Sequence, residues 1–285
     1  MMLSKLQYQN WSRKGVLRFH AALYYASLFL ITAVILSPII IAFSSAFKFE
    51  ADIYAVPFRL IPEVPTLDNF RQLLDRFPLY IYNSFKVTGI IVLLQIVTAT
   101  TAGYCFSKLE WKGRDFIFIL YIASIMIPGQ AVIIPQFIIV QRLGLYNTHA
   151  GLIFVSVFTA FGTFLVKQFF MTIPESFIEA ARIDGASEIF IFRKVMIPLS
   201  KTVIATLVIF SFRFFWNDFF GPLIYLASPN LKTLPLGMAD FANEHYTYVG
   251  PQMAATIISI IPVLLVFLAG QKHFVKGTMS AGIKG

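Results

Sequence analysis

Residues 212–222, Phe212-Arg213-Phe214-Phe215-Trp216-Asn217-Asp218-Phe219-Phe220-Gly221-Pro222, put a guanidinium, an indole, an amide and a carboxylate inside an otherwise apolar run, 203–227. Arg213 stands about ten residues into that run, roughly 15 Å along a helix. If the run crosses a bilayer, that depth is near the midplane, where a charge without a partner costs about 2.5 kcal/mol or more. Arg213 and Asn217 are four residues apart and share a helical face. Arg213 and Asp218 are five apart, which is about 140° of rotation, so they do not pair within one helix. Each charge therefore needs a partner on another helix, in a water-filled cavity or on a ligand. Asn217 and Asp218 suit hydroxyl groups, and Arg213 suits an anion held by two parallel hydrogen bonds. Asn217 and Asp218 are equally suited to joining helices, or to fixing a bend before Pro222.

A second set lies in residues 172–199, TIPESFIEAARIDGASEIFIFRKVMIPL, between two long apolar runs. Thr172 and Glu175 fit a capping box, with Pro174 in the first turn. Gly185 suits the left-handed residue that ends a helix, and Ser187 suits the cap of a second short helix that stops before Pro198. The pattern predicts helix, glycine corner, helix at a membrane face. Glu175, Glu179 and Arg182 fall along one side of the first helix. Ala180 and Ala181 leave its backbone uncovered, so another surface can approach closely. A helix that merely lies on lipid favours a basic polar face, and this stretch carries four acids, Glu175, Glu179, Asp184 and Glu188.

The elements that must position these groups follow from composition. Of 285 residues 58% are hydrophobic and 13% charged, against about 25% charged in a soluble domain. A hydrocarbon core about 30 Å thick needs roughly 20 apolar residues per helix. Runs at 21–47, 87–106, 116–140, 150–166, 203–227 and 253–270 give six spans, an all-α integral membrane protein. The first run is too long for a signal-peptide core and reads as a retained helix kinked at Pro38. The third contains Pro128-Gly129 and Pro135, which break it next to Gln130 and mark either a pathway-lining or a kinked packing helix. Residues 48–82 form a proline-rich loop in which Asp68 suits the cap of a short helix through Arg76. The division expected is 1–82, a core at 83–271 and a tail at 272–285.

Fourteen Lys/Arg fall in the segments 1–18, 107–115, 172–202 and 271–285, and six in the alternate ones. The positive-inside rule puts both termini and residues 172–199 in the cytoplasm. Lys167, near a cytoplasmic helix end, is expected to snorkel. The net charge of +9 thus reports topology, and nucleic acid is not an expected partner. The single cysteine, Cys105, excludes an internal disulfide, and His20, His149, His245 and His273 show no metal spacing and read as surface residues. No glycine is followed by lysine, so no phosphate-binding Walker loop is present, and neither HExxH nor GxSxG occurs.

Glu179-Ala180-Ala181, then Asp184-Gly185, then Ile197-Pro198, resembles the EAA loop of ABC-importer permease subunits. In that family the loop docks into a cleft of a cytoplasmic ATPase. Trp216-Asn217-Asp218-Phe219 followed by Pro222-Leu223 is similar to the fifth helix of carbohydrate-importer permeases. That similarity implies that Trp216, Asn217 and Asp218 lie near the translocation pathway, the indole covering the apolar face of a pyranose. Arg213 departs from the family pattern, where the position is apolar or small. It either neutralises Asp218 or another subunit's acid, or faces an anionic sugar such as a uronate. Gln130 and Asn83 complete the expected pathway set, Asn83 belonging to an Asn83-Ser84 pair familiar from these permeases and also readable as a helix N-cap. The tail 277–285 resembles the ending of sugar-permease subunits that reaches the ATPases, and equally a frayed terminus.

The resemblance implies a six-helix type I importer fold, closest to the second maltose-type subunit. It further implies a second permease chain, two ATP-binding subunits and an extracytoplasmic sugar-binding protein. This chain would hold no cofactor, ATP and magnesium belonging to the partners. The alternatives are an importer of a non-sugar solute, a proton- or sodium-coupled transporter using Arg213 and Asp218, and a membrane enzyme using Asp218.

Overall fold

The computed structural model describes residues 2–241 and 248–282, with side chains for 18–241 and 248–272. The expectations for His245, the side chains of Lys5, Arg13, Lys14 and His273, and the end of the tail fall outside the described residues. Every regular element described is helical, and the chain divides into two compact units, Met1–Gln72 with Tyr248–Ile257 and Leu73–Thr247 with Ile258–Gly285.

In the first unit α1 (Met2–Ala46) runs through Pro38 as one helix. Its apolar side chains, Phe29 and Val34 among them, stand exposed, as a helix facing hydrocarbon would have them. Its last carbonyl and one just past its end are met by Asn69, whose Nδ2 donates to Ala46 O at 3.0 Å and Lys48 O at 2.7 Å. Lys48 is itself buried, its ammonium 4.2 Å from the Phe58 ring centroid. The short α2 (Glu50–Ile53) carries Glu50, which accepts from the N–H groups of Val249 and Gly250 at 2.8 and 2.9 Å. These open the last helix, where an acid complements the helix dipole. The helix expected at 68–76 is only α3 (Asp68–Arg71). Asp68 does not cap it. It lies in the first turn, donates its N–H to Thr66 Oγ1 and pairs with Arg71 at 3.0 Å.

The second unit is built around α4 (Phe77–Lys108). It begins ten residues before the apolar run because Pro78 fits the first turn, where a missing N–H costs nothing. Next come α5 (Arg114–Ala123) and α6 (Gly129–Arg142), bent by 103° where Pro128-Gly129 interrupts them. Pro135 lies inside α6 without ending it.

The expected continuous span at 150–166 is two helices, α7 (His149–Phe154) and α8 (Ala160–Met171). The break is stabilised from α4. Gln95 Nε2 donates to Ser156 O at 2.8 Å and Thr98 Oγ1 to Val157 O at 3.0 Å, while Thr159 caps α8 by accepting from Gly162 N–H. Carbonyls freed at membrane depth need such partners. Then follow α9 (Ser176–Ile183), α10 (Glu188–Ile191), a π-helical stretch Phe192–Met196, α11 (Ile197–Leu199) and α12 (Lys201–Trp216). The chain ends with α13 (Phe220–Tyr225), α14 (Leu234–Met238) and α15 (Val249–Gly282).

Among the described residues three helical stretches are long and apolar enough to cross a bilayer unbroken: Arg18–Ala46, Phe77–Lys108 and Val249–Lys272. Counting each of two bent pairs as one span brings the number to at most five, the second pair bent by 77° between Glu188–Leu199 and Lys201–Trp216. That bend falls where the sequence places the border between the 172–199 loop and its span. The sixth apolar segment contributes only the 12 residues of α8 as its longest helix, about 18 Å. The core of the second unit joins Ala99 and Tyr104 of α4, Val166 and Phe170 of α8, Ile178 and Ile191 of the loop and Leu207 of α12. Gly103 permits a close approach of α8 to α4, since a Cβ there would stand 2.7 Å from Val166 Cγ1.

Candidate functional site

A cavity of about 890 Å³ opens in the second unit between the α5–α6 bend, α7 and the end of α12. Gln130, Arg213, Asn217 and Asp218 all line it, as do Gln136, Ser156 and a set of rings that includes Phe158, Phe214 and Phe219. The local structure explains the arrangement. Gln130 sits in the first turn after Pro128, so the bend aims it inward. Helix α12 ends at Trp216, and Asn217 Nδ2 folds back to donate to Arg213 O at 2.7 Å. Asp218 lies beyond the helix. Its Oδ1 accepts from Gly221 N–H at 3.2 Å and so holds the start of α13. The 203–227 run is thus broken at 217–219, and the rotation expected between Arg213 and Asp218 on one helix does not apply. Arg213 is exposed, and among the described residues it forms no ion pair.

Two expected pathway residues are not brought to this cavity. Trp216 is 1% exposed, stacks on Phe212 and donates Nε1–H to Ser259 O at 2.9 Å. Its face and its donor are both engaged in packing, against Phe212, Phe85 and Ser259. Asn83 is buried in α4, six residues past the helix start, so it is no N-cap. Its Nδ2 donates to Asn230 O and Lys232 O, and Ser84 Oγ accepts from Leu234 N–H at 2.7 Å. Together they clamp the segment between α13 and α14. His149, expected at the surface, is buried and bonded through Nε2 to Leu231 O at 2.9 Å. Lys167 lies over the Phe118 ring at 4.1 Å. Sequence reasoning missed Gln136, whose Oε1 lies 3.4 Å from the Tyr225 hydroxyl. It stands one residue after Pro135, and its place in a broken apolar run was the available signal.

The second site is the 172–199 loop, and the helix–glycine–helix arrangement is present. Gly185 has φ +79°, and the N–H groups of Gly185 and Ala186 return to Arg182 O and Ala181 O. Ser187 caps α10, its Oγ accepting from Phe190 N–H. The capping box is absent. Thr172 Oγ1 donates to Phe169 O and closes α8, while Glu175 is drawn to Lys108 at 2.9 Å, so α9 begins at Ser176. The second helix does not stop before Pro198 either. The wider π turn accommodates the missing N–H, Pro198 lies in α11, and the path ends at Ser200, whose Oγ donates to Met196 O.

Two side-chain links fasten this loop to α4. Lys108 Nζ donates to Ile173 O and Glu175, and Tyr104 donates its hydroxyl to Glu188 Oε2 at 2.5 Å. Arg182 holds the other Glu188 oxygen at 2.9 Å. These two donors, Arg182 first, keep the Glu188 carboxyl below its ordinary value of 4.5. Outward, Glu179, Ala180 and Asp184 are exposed beside Phe177, Ile183, Ile189 and Phe190, with Ile183 at 86%. Ala181 and Ile197 are half-buried on the inner side.

Apolar helices long enough to cross a bilayer, with an exposed loop anchored to α4, describe a polytopic membrane protein. Residues 95–280 match the family described as "Binding-protein-dependent transport system inner membrane component", and the chain belongs to that family. It is 31% identical over 227 residues to the arabinooligosaccharides transport system permease protein AraQ of Halalkalibacterium halodurans, covering 79% of this chain and 81% of that one. It is also 31% identical to the sn-glycerol-3-phosphate transport system permease protein UgpE of Salmonella typhi, covering 87% and 92%. Among solved structures, a chain of a bacterial ABC transporter involved in the import of the acidic polysaccharide alginate superposes with a TM-score of 0.81. It has 25% identity over 90% of this chain and 97% of that one.

Proposed function

We propose that this chain is the permease subunit of an ATP-driven carbohydrate importer, lining the pathway together with a second permease chain. Of two cytoplasmic ATP-binding subunits, one would dock on residues 172–199, and an extracytoplasmic binding protein would deliver the solute. ATP and magnesium would be held by the ATPases. The observation that carries the reading is the loop. It presents an exposed apolar set, Phe177, Ile183, Ile189 and Phe190, while Lys108 and Tyr104 tie it to α4. Exposed apolar groups in a cluster mark a protein contact. The ties make that contact mechanical: a push on the loop is a push on α4, and through the shared core on α8 and α12. Closure of the ATPases would then tilt the spans and switch access from one side to the other, a rigid-body transition between two states.

Carbohydrate as the solute class is supported by the cavity, in which amides, a carboxylate and aromatic rings line one space, and by two of the names above, the arabinooligosaccharide permease and the alginate transporter. Asn217, Asp218, Gln130 and Arg213 are the pathway residues this reading keeps. Asn83 and Trp216 act instead as supports. The charge distribution supports cytoplasmic termini and a cytoplasmic loop. The test is co-purification of the chain with its ATP-binding subunits, with and without Ile183→Glu plus Phe190→Glu. The wild type is expected to retain the ATPases and the double variant to lose them. Retention by both would remove the docking reading, and an absence of ATPase on the wild type would favour ion-coupled transport.

A further inference from the structure

The cavity wall carries one cation and one carboxylate, and they form no ion pair with each other. Arg213 stands exposed on its wall and pairs with no carboxylate among the described residues. Asp218, the acid lining the same space, is held by Gly221 N–H at the start of α13. The remaining polar wall is neutral: Gln130, Gln136, Asn217 and Ser156. Because Asn217 Nδ2 is bonded to Arg213 O, its Oδ1 is left as an acceptor one turn from the guanidinium. A permanently charged group at membrane depth is retained where something neutralises it, and here the open space in front of it is where that neutralising group must enter.

We propose that Arg213 is an anion subsite of the cavity, so that the transported solute is a hydroxylated molecule bearing a carboxylate or a phosphate. This rests on the saccharide-import reading above and narrows it. A guanidinium binds either group through two parallel hydrogen bonds, and the low-dielectric surroundings strengthen the attraction. The amides beside it suit hydroxyls, and the rings of Phe158, Phe214 and Phe219 suit the C–H faces of a sugar or polyol.

The test is uptake into proteoliposomes holding the whole complex and its binding protein, comparing wild type with Arg213→Gln and Arg213→Lys. The probes are an oligouronate, its carboxyl-reduced neutral counterpart, and glycerol phosphate. The same binding protein serves every arm, so its own preference cancels when the anionic-to-neutral ratio of a variant is divided by that of the wild type. Arg213→Gln is expected to lower that ratio about tenfold or more, and Arg213→Lys to restore part of it. Which anion loses uptake, the oligouronate or glycerol phosphate, tells carboxylate from phosphate. An equal loss of anionic and neutral uptake overturns the proposal, and so does a wild type that transports neutral sugars only. Loss of subunit assembly with an unchanged ratio also overturns it, since that is what a salt bridge to the second permease chain would give. If the wild type takes up no saccharide, the saccharide reading fails on its own. Glycerol phosphate uptake then still decides the subsite.

Discussion

Lys108 holds the start of the loop through two bonds, to Ile173 O and Glu175. Its side chain is 5% exposed, against 47% for its partner Glu175, so one end of the pair is dry and the other wet. Replacing it with Met removes the ion pair and also leaves the Ile173 carbonyl without its donor. The expected cost is about 1–3 kcal/mol, read as a lower melting temperature of the purified complex. A melting temperature unchanged within error would show that the link carries no stability.

Glu188 gives a pH dependence. Its carboxyl lies below 4.5 because Arg182 and Tyr104 donate to the charged form. A depressed carboxyl contributes stability that is present above its unfolded value and lost as pH falls through its folded one. Glu188→Gln should therefore lower the melting temperature at pH 7, with the difference from wild type shrinking as pH falls below about 4. A difference constant over that range would assign the effect to shape rather than charge.

At the scale of elements, α4 serves as the spine. Gln95 is buried and uses both ends of its amide, donating to Ser156 O and accepting from the Ser211 hydroxyl at 2.7 Å. Gln95→Leu would leave two groups unpaired at membrane depth, at about 1–3 kcal/mol each. Looser packing of α8 on α4, seen as faster hydrogen exchange in residues 155–165, is the expected readout. Gly103→Val would drive a side chain into Val166, costing about 1–3 kcal/mol and lowering the yield of folded chain.

These partnerships also explain what was legible in the sequence. The bend at Pro128-Gly129 and the corner at Gly185 were visible because the residues that cause them sit at the bend itself. The break between α7 and α8 was not, because the groups that stabilise it, Gln95 and Thr98, lie about 60 residues away and hydropathy records only an apolar run. Trp216 misled for a related reason. A motif gives residue types, and only the direction of its helix face decides between cavity and core. The capping box failed because Lys108, distant in sequence, competes for Glu175 more strongly than a backbone N–H.

Across the second unit, the loop, α4, α8 and α12 share one buried cluster, and the polar cavity is walled by the far end of α12. A displacement of the loop therefore has a continuous packed route to Arg213 and Asn217. The class of protein was readable from hydropathy and the loop motif together, since one marks membrane helices and the other a family. The number of unbroken spans was not, because caps and breaks inside apolar segments leave little trace in composition.

The measurement that tests the central claim most directly is the ratio of solute transported to ATP hydrolysed by the reconstituted complex, with and without Gly185→Val. Around Gly185 nothing in this chain lies within 4 Å of an added Cβ, so within the chain the substitution acts through the positive φ, which a β-branched residue resists by about 1–2 kcal/mol. If the loop couples hydrolysis to transport, the variant keeps hydrolysing ATP while the transported amount per ATP falls several-fold. An unchanged ratio in a complex that still assembles would contradict the account, and the loop would be a docking site without a mechanical role.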